Sequence, residues 1–164
     1  KPVLKDMQGR IRSMALLHEA LYRTGNFARV NLGGYLRQLT TELFRGQNTA
    51  ADRVRLEMNL AEVFVGIDQA IPCGLIVNEL LSNSLKHGFP GSHAGEVILT
   101  VAQPEAGQVR LIVEDSGVGF SEGFEIGQTD SLGLLLVSDL TRQLQGTLRQ
   151  GSGARFEINF KNRE

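Results

Sequence analysis

The chain has 164 residues and a mass of 18.0 kDa, about one domain, and its 41% hydrophobic content can build a core, which excludes a disordered chain. Its 17 basic and 18 acidic side chains nearly cancel, so there is no bulk positive field to hold nucleic acid or an anionic membrane. No secretory leader is expected, no apolar run reaches the roughly 18 residues that span a bilayer, and the single cysteine, Cys73, excludes an internal disulfide framework and suits a reducing, cytoplasmic compartment.

The first residue is Lys1, and the chain is expected to be cut from a longer protein. Residues 1–24 read as a helix whose Leu4, Met7, Ile11, Met14, His18 and Leu21 recur at spacings of three and four. This is a bundle-type seam that requires a partner helix. Gly9 within it costs about 1 kcal/mol relative to Ala. Thr24-Gly25-Asn26 is a stop. Asn31 can cap a second helix, whose stripe is Leu32, Tyr35, Leu36, Leu39, Leu43 and Phe44. Residues 45–52 read as a loop, and Val54, Leu56, Met58 and Leu60 alternate as a strand with one buried face.

The most apolar helix is predicted over Ile71–His87, with Pro72 in its first turn and Gly88-Phe89-Pro90-Gly91 ending it. Val97-Leu99-Val101 and Val109-Leu111-Val113 predict a hairpin joined around Pro104–Gly107. Residues 115–131 hold four glycines with acidic and hydroxyl side chains and no period, a mobile loop. A helix over about Leu132–Gln145 and two closing strands, around Gly146–Gln150 and Arg155–Lys161, complete the chain. Mostly antiparallel strands with helices on one face predict an α+β fold, a two-layer sandwich.

Four clusters can carry chemistry. On the helix ending at His87, with Glu79 at 0°, Asn83 falls at about 40°, Lys86 at about −20° and His87 at about 80°. Val77, Leu81 and Leu85 lie on the opposite side, so four polar groups share one stripe. Taken singly, such a stripe is equally well a solvated face. The second cluster is Glu114-Asp115-Ser116-Gly117-Val118-Gly119-Phe120, where a carboxylate that can accept from an exocyclic amine is followed by two glycines that allow close backbone approach. Gly123 comes one residue late for a dinucleotide fingerprint, and there is no GxxxxGK[ST] loop. The third is Asp130-Ser-Leu-Gly-Leu-Leu-Leu-Val137, where a helix starting near Leu132 would present free N–H groups to an anion and which alone is merely a helix start. The fourth is Gly151-Ser-Gly-Ala-Arg-Phe156, a tight turn feeding the last strand.

In this order the clusters resemble the N, G1, G2 and final glycine boxes of the GHKL (Bergerat-fold) ATP-binding domain of gyrase, MutL, Hsp90-type chaperones and sensor histidine kinases. NELLSNSLKHGFP, together with RIRSMALLHEALY, is similar to bacterial histidine kinases of the HWE and second HisKA-type subfamily. The resemblance covers nearly the whole chain. It implies a partial dimerisation and phosphotransfer helix at 1–25 and a catalytic ATP-binding domain at 31–164.

It also implies the roles. Asn83 holds Mg²⁺, Glu79 orients a water or polarises the acceptor, and Lys86 and His87 contact phosphate oxygens. Asp115 accepts from the adenine amine, and Gly117 and Gly119 admit the base. Residues 120–131 form a lid, and Ser131, Leu132, Gly133 and Leu134 offer donors to the phosphates. Two positions depart from the pattern. Ser131 stands where the G2 box begins with glycine, and Ala154 stands where a threonine is frequent. The implied function is transfer of the ATP γ-phosphate to a histidine and then to a receiver-domain aspartate of a response regulator, within a homodimer. The acceptor of this subfamily lies in an HHRVKNN-like run on the preceding helix. The three histidines here, His18, His87 and His93, are not in such a run, so the chain is expected to bind Mg-ATP without completing autophosphorylation. A pure ATPase of the same fold, with Glu79 activating water, and a scaffold module that has lost nucleotide binding are the alternative readings. The seam helix argues against a third, an anti-sigma-type serine kinase.

Overall fold

The computed structural model describes residues 4, 7–9, 11–12, 14–16, 18–19, 29–46 and 53–163. Leu21, the stop at Thr24–Asn26 and most of the loop expected over 45–52 lie outside the described residues.

The described residues between 4 and 19 are helical (α1). Strand β1 (Arg29–Asn31) leads into α2 (Leu32–Arg45). Asn31 caps α2, accepting from the Gly34 N–H at 3.2 Å, and the stripe of Leu32, Tyr35, Leu36, Leu39 and Phe44 is buried as its spacing requires. Strands β2 (Val54–Leu60) and β3 (Phe64–Gly66) follow, then α3 (Ile67–Asn83) and a turn of π-helix over Ser84–Gly88. The hairpin is β4 (Gly95–Ala102) and β5 (Gln108–Asp115). A short 3₁₀ turn at Ile126–Gln128 precedes α4 (Leu132–Gln143), and β6 (Thr147–Gln150) and β7 (Ala154–Lys161) close the chain.

The main sheet has the order β2-β4-β5-β7-β6. Its pairs are antiparallel except β2 with β4, which run parallel because β3 and α3 cross over one face between them. A second pair, β1 with β3, was not expected; at three residues each they are too short to show a period. The inner face of the main sheet is Val97, Leu99, Val101, Val109, Leu111, Val113, Phe156, Ile158 and Phe160, all buried against the helices. The outer face is a charged ladder in which Arg155 joins Glu114 (3.3 Å) and Glu157 (3.2 Å) and Arg110 reaches Glu157 (3.3 Å). This is the α+β two-layer sandwich expected from the order of the elements.

Three boundaries differ from expectation. Helix α3 starts at Ile67 rather than Ile71, so Pro72 lies inside it. Tertiary contacts hold that extra turn. The buried Gln69 amide donates to the Lys161 carbonyl (2.8 Å) and accepts from the Arg163 N–H (3.1 Å), and Arg163 pairs with Asp68 (3.0 Å). The helix also gives way to π-turn geometry after Asn83, so it is not α-helical to His87. Helix α4 stops at Gln143 because Gln145 turns to φ 54° and the Gly146 N–H reaches back to the Thr141 carbonyl at 3.0 Å. That is a Schellman ending without the usual glycine.

Helix α1 meets the domain with the face opposite its seam. Leu16 enters the core, and a Cβ at Gly9 would stand 3.2 Å from Asn78 Oδ1. Gly9 therefore permits close approach to α3, which offsets its weak helix propensity. Leu4, Met7, Ile11 and Met14 remain exposed.

Candidate functional site

The polar end of α3 meets the C-terminal end of β5. At Asn83 the backbone passes from i→i+4 to π-turn geometry, which widens the turn over Ser84–Gly88. Burial still follows a wheel drawn at 100° per residue across this change: Ser84, which that wheel places on the apolar side, is buried, and Lys86 and His87 are exposed.

Asp115 ends β5 between Val97 of β4 and Ala154 of β7. Its carboxylate is held on three sides. The Ser84 hydroxyl donates to Oδ2 at 2.6 Å, and the Gly117 N–H donates to Oδ1 at 2.9 Å. Gly88 closes the third side: a Cβ there would lie 3.4 Å from Oδ1.

The glycine-rich run wraps this carboxylate. Gly117 abuts the π-turn so closely that a Cβ would collide with the Gly88 carbonyl oxygen, which also accepts from the Val118 N–H at 2.9 Å. Gly119 has φ 71°, a conformation that disfavours a side chain, and passes Gly153. Phe120 stacks on Phe124 (4.3 Å between centroids) and meets the edge of Phe156 (5.5 Å). Together these groups line a cavity of about 230 Å³ formed by Leu80, Asn83, Ser84, His87, Gly88, Asp115, Gly119, Phe120, Ala154 and Phe156.

Of the residues singled out from sequence, Asn83, His87, Asp115 and Gly119 thus share one cavity. Gly117 adjoins it through Gly88 rather than lining it. Lys86 is exposed beside it. Glu79 is not among the lining residues and lies under the start of α4: its Oε2 is 2.6 Å from where a Cβ on Gly133 would be. A carboxylate there is favoured by the positive end of the helix dipole. Ser131 caps α4 at φ −70°, so the residue in place of glycine is unstrained. Its hydroxyl accepts the Leu134 N–H at 3.4 Å, which engages one of the donors expected to face an anion. Leu132 is 77% exposed and Gly133 half-buried. The lining residues missed from sequence are Leu80, Ser84 and Gly88, whereas Phe120 and Phe156 close the second and fourth clusters without being assigned a role of their own there. Ser84 left a signal, as a hydroxyl between Leu81 and Leu85 on the apolar side of the wheel.

Among the described residues no group of three His, Cys, Asp or Glu side chains could hold a metal ion, and no helix is long and apolar enough to cross a membrane.

A family model described as histidine kinase matches residues 1–47, and one described as histidine kinase-, DNA gyrase B-, and HSP90-like ATPase matches residues 68–164. The chain is 27% identical over 162 residues to blue-light-activated histidine kinase 2 of Erythrobacter litoralis, covering 94% of this chain and 46% of that protein. It is 28% identical over 141 residues to sensor histidine kinase PdtaS of Mycobacterium tuberculosis, covering 85% of this chain and 28% of that protein. The solved histidine kinase domain of the Erythrobacter litoralis EL346 blue-light activated histidine kinase superposes with a TM-score of 0.84 at 25% identity, covering 96% of this chain and 75% of that one. The chain spans less than half the length of these two curated relatives.

Proposed function

Because the chain belongs to the histidine kinase-, DNA gyrase B-, and HSP90-like ATPase family, we propose that its cleft holds the adenine of Mg-ATP and that it serves as the catalytic part of a protein-histidine kinase. The observation that carries this reading is the shared cavity of Asn83 and Asp115. Its volume of about 230 Å³ is small beside the ~300–1,000 Å³ of whole-ligand clefts, which suits a base whose ribose and phosphates extend outward. Leu80, Phe120, Ala154 and Phe156 supply flat apolar walls, and Asp115 supplies an acceptor for an exocyclic amine.

The residues also fit a phosphate-bound magnesium. An amide oxygen is a hard ligand, and Mg²⁺ keeps most of its shell as water and phosphate oxygen, so Asn83 alone is a sufficient protein contribution. When bound, ATP supplies the phosphoryl group and Mg²⁺ neutralises its charge. The chain's own work is positioning. Asp115 and the apolar walls orient the base, Lys86 and His87 carry donors at the open side, and the start of α4 presents backbone N–H groups at Leu132 and Gly133. Glu79, buried under α4, is in reach of that same end to orient a water or the acceptor group.

In the intact protein the phosphoryl group passes to a histidine outside residues 1–164 and then to an aspartate of a response regulator. The exposed seam of Leu4, Met7, Ile11 and Met14 supports pairing of residues 1–25 with further helices in a homodimer, while residues 31–164 bind nucleotide. His18 lies on the seam side of α1 and is not among the cavity-lining groups.

Thermal melting with and without Mg-ADP tests the reading. Nucleotide at 100 times its dissociation constant adds about 2.7 kcal/mol, or roughly 5–10 °C for a domain of this size. Asn83→Ala is expected to remove the magnesium-dependent part of the shift, and His93→Ala, in the exposed loop after Pro90, to leave it whole. No shift in the parent chain, or an equal shift in Asn83→Ala, overturns the assignment.

A further inference from the structure

Ser84 is bonded to the one carboxylate of the cavity, and no part of its role follows from the nucleotide reading alone. A helical serine ordinarily turns its hydroxyl back to the carbonyl four residues earlier. Here the hydroxyl crosses from the π-turn to β5 and donates to Asp115 Oδ2 at 2.6 Å, in the short range of bonds to ionised acceptors. The Gly117 N–H takes Oδ1 from the opposite side at 2.9 Å. A carboxylate has about four acceptor positions, so each oxygen keeps one, and two donors on different oxygens fix its plane. With Gly88 against the third side, the cavity is the side left open.

We propose that Ser84 is a specificity-determining positioning residue, whose hydroxyl holds the Asp115 carboxylate in the plane that selects a 6-amino purine over a 6-oxo purine. This rests on the reading of the cavity as an adenine site. An amine at position 6 donates to the carboxylate, whereas a carbonyl there sets two acceptors against each other. The penalty is large only while the carboxylate is unable to turn away. Ala154, the register partner of Asp115 on β7, has no hydroxyl to do the same from the other wall, so this task falls to Ser84 and the Gly117 N–H.

The test is calorimetric titration of the 164-residue chain with ADP and with IDP, each with Mg²⁺, for the parent, Ser84→Ala and Asp115→Asn. The readout is the ratio of the two affinities. Partial loss of folded protein lowers both affinities by the same factor and leaves the ratio untouched, so a merely structural role does not move it. The parent is expected to prefer ADP, Asp115→Asn to abolish the preference, and Ser84→Ala to reduce it about tenfold. A preference lost in Asp115→Asn but retained in Ser84→Ala overturns the role of Ser84 and leaves the adenine site standing. A parent chain that binds neither nucleotide, or binds both alike, overturns the adenine reading and the inference with it.

Discussion

Gly117 and Gly133 both sit where a side chain meets an obstacle, but the obstacles differ in what they can yield. At Gly117 the obstacle is the Gly88 carbonyl, a backbone atom that also accepts the Val118 N–H. Neither segment can retreat without parting β5 from the π-turn. Gly117→Ala is therefore expected to cost more than about 3 kcal/mol, measured as a lowered midpoint of urea unfolding. At Gly133 the obstacle is Oε2 of Glu79, the tip of a flexible side chain. Gly133→Ala is expected to displace that carboxylate and to move the midpoint far less. Equal midpoints for the two variants would contradict the distinction. Ser131 makes the complementary point. Its φ of −70° shows that this position, read from sequence as a departure from glycine, needs an N-cap and not a positive φ.

Among the elements, the segment 120–131 departs most from its composition. It belongs to the stretch 115–131, whose four glycines and lack of period read as a mobile loop, yet Phe120, Phe124 and Ile126 pack against the core. The stack of Phe124 on Phe120, itself against Phe156, ties the segment to β7. Aromatic pairs of this kind add about 0.5–1.5 kcal/mol beyond their buried area. Phe124→Ala is expected to raise the rate of limited proteolysis within 121–131 severalfold, since cleavage follows the local opening equilibrium. An unchanged rate would show that other contacts hold the segment. The π-turn at Ser84–Gly88 is the second such element. It carries both Ser84, which bonds Asp115, and His87, which stands in the cavity wall.

For the molecule as a whole, the sheet divides the protein into a dry inner side and a charged outer side. Glu157 lies at the centre of the outer ladder with its side chain 14% exposed. The Asn159 amide, which donates to it at 2.9 Å, holds its carboxyl below the usual range, and Arg155 and Arg110 add to the effect against the cost of burial. A carboxyl whose folded pKa is lowered contributes stability above its unfolded value, and that contribution is lost as pH falls through the folded one. Unfolding midpoints are thus expected to fall as pH drops below about 4.5, and Glu157→Gln is expected to flatten that limb. Parallel curves for the two proteins would contradict this. Glu96 is also lowered, beside Arg55, but that pair is open to water and screened by salt, so its contribution is small.

Period and chemistry alone determined the stripes of α2 and the β4–β5 hairpin and the cap at Asn31, because each depends on residues close in sequence or on a side chain's intrinsic bonding capacity, whereas the pairing of Asn83 with Asp115 came from the resemblance of the four clusters to a known family. Tertiary structure decided the rest. The start of α3 at Ile67 depends on the tail at Lys161 and Arg163, more than 90 residues away. The burial of Ser84 on Asp115, the turning of Glu79 beneath Gly133 and the anchoring of Phe124 on Phe120 depend on which elements become neighbours across the two layers. The face by which α1 docks was opposite to the one its spacing marked, since a stripe records where apolar side chains lie and not which surface will cover them.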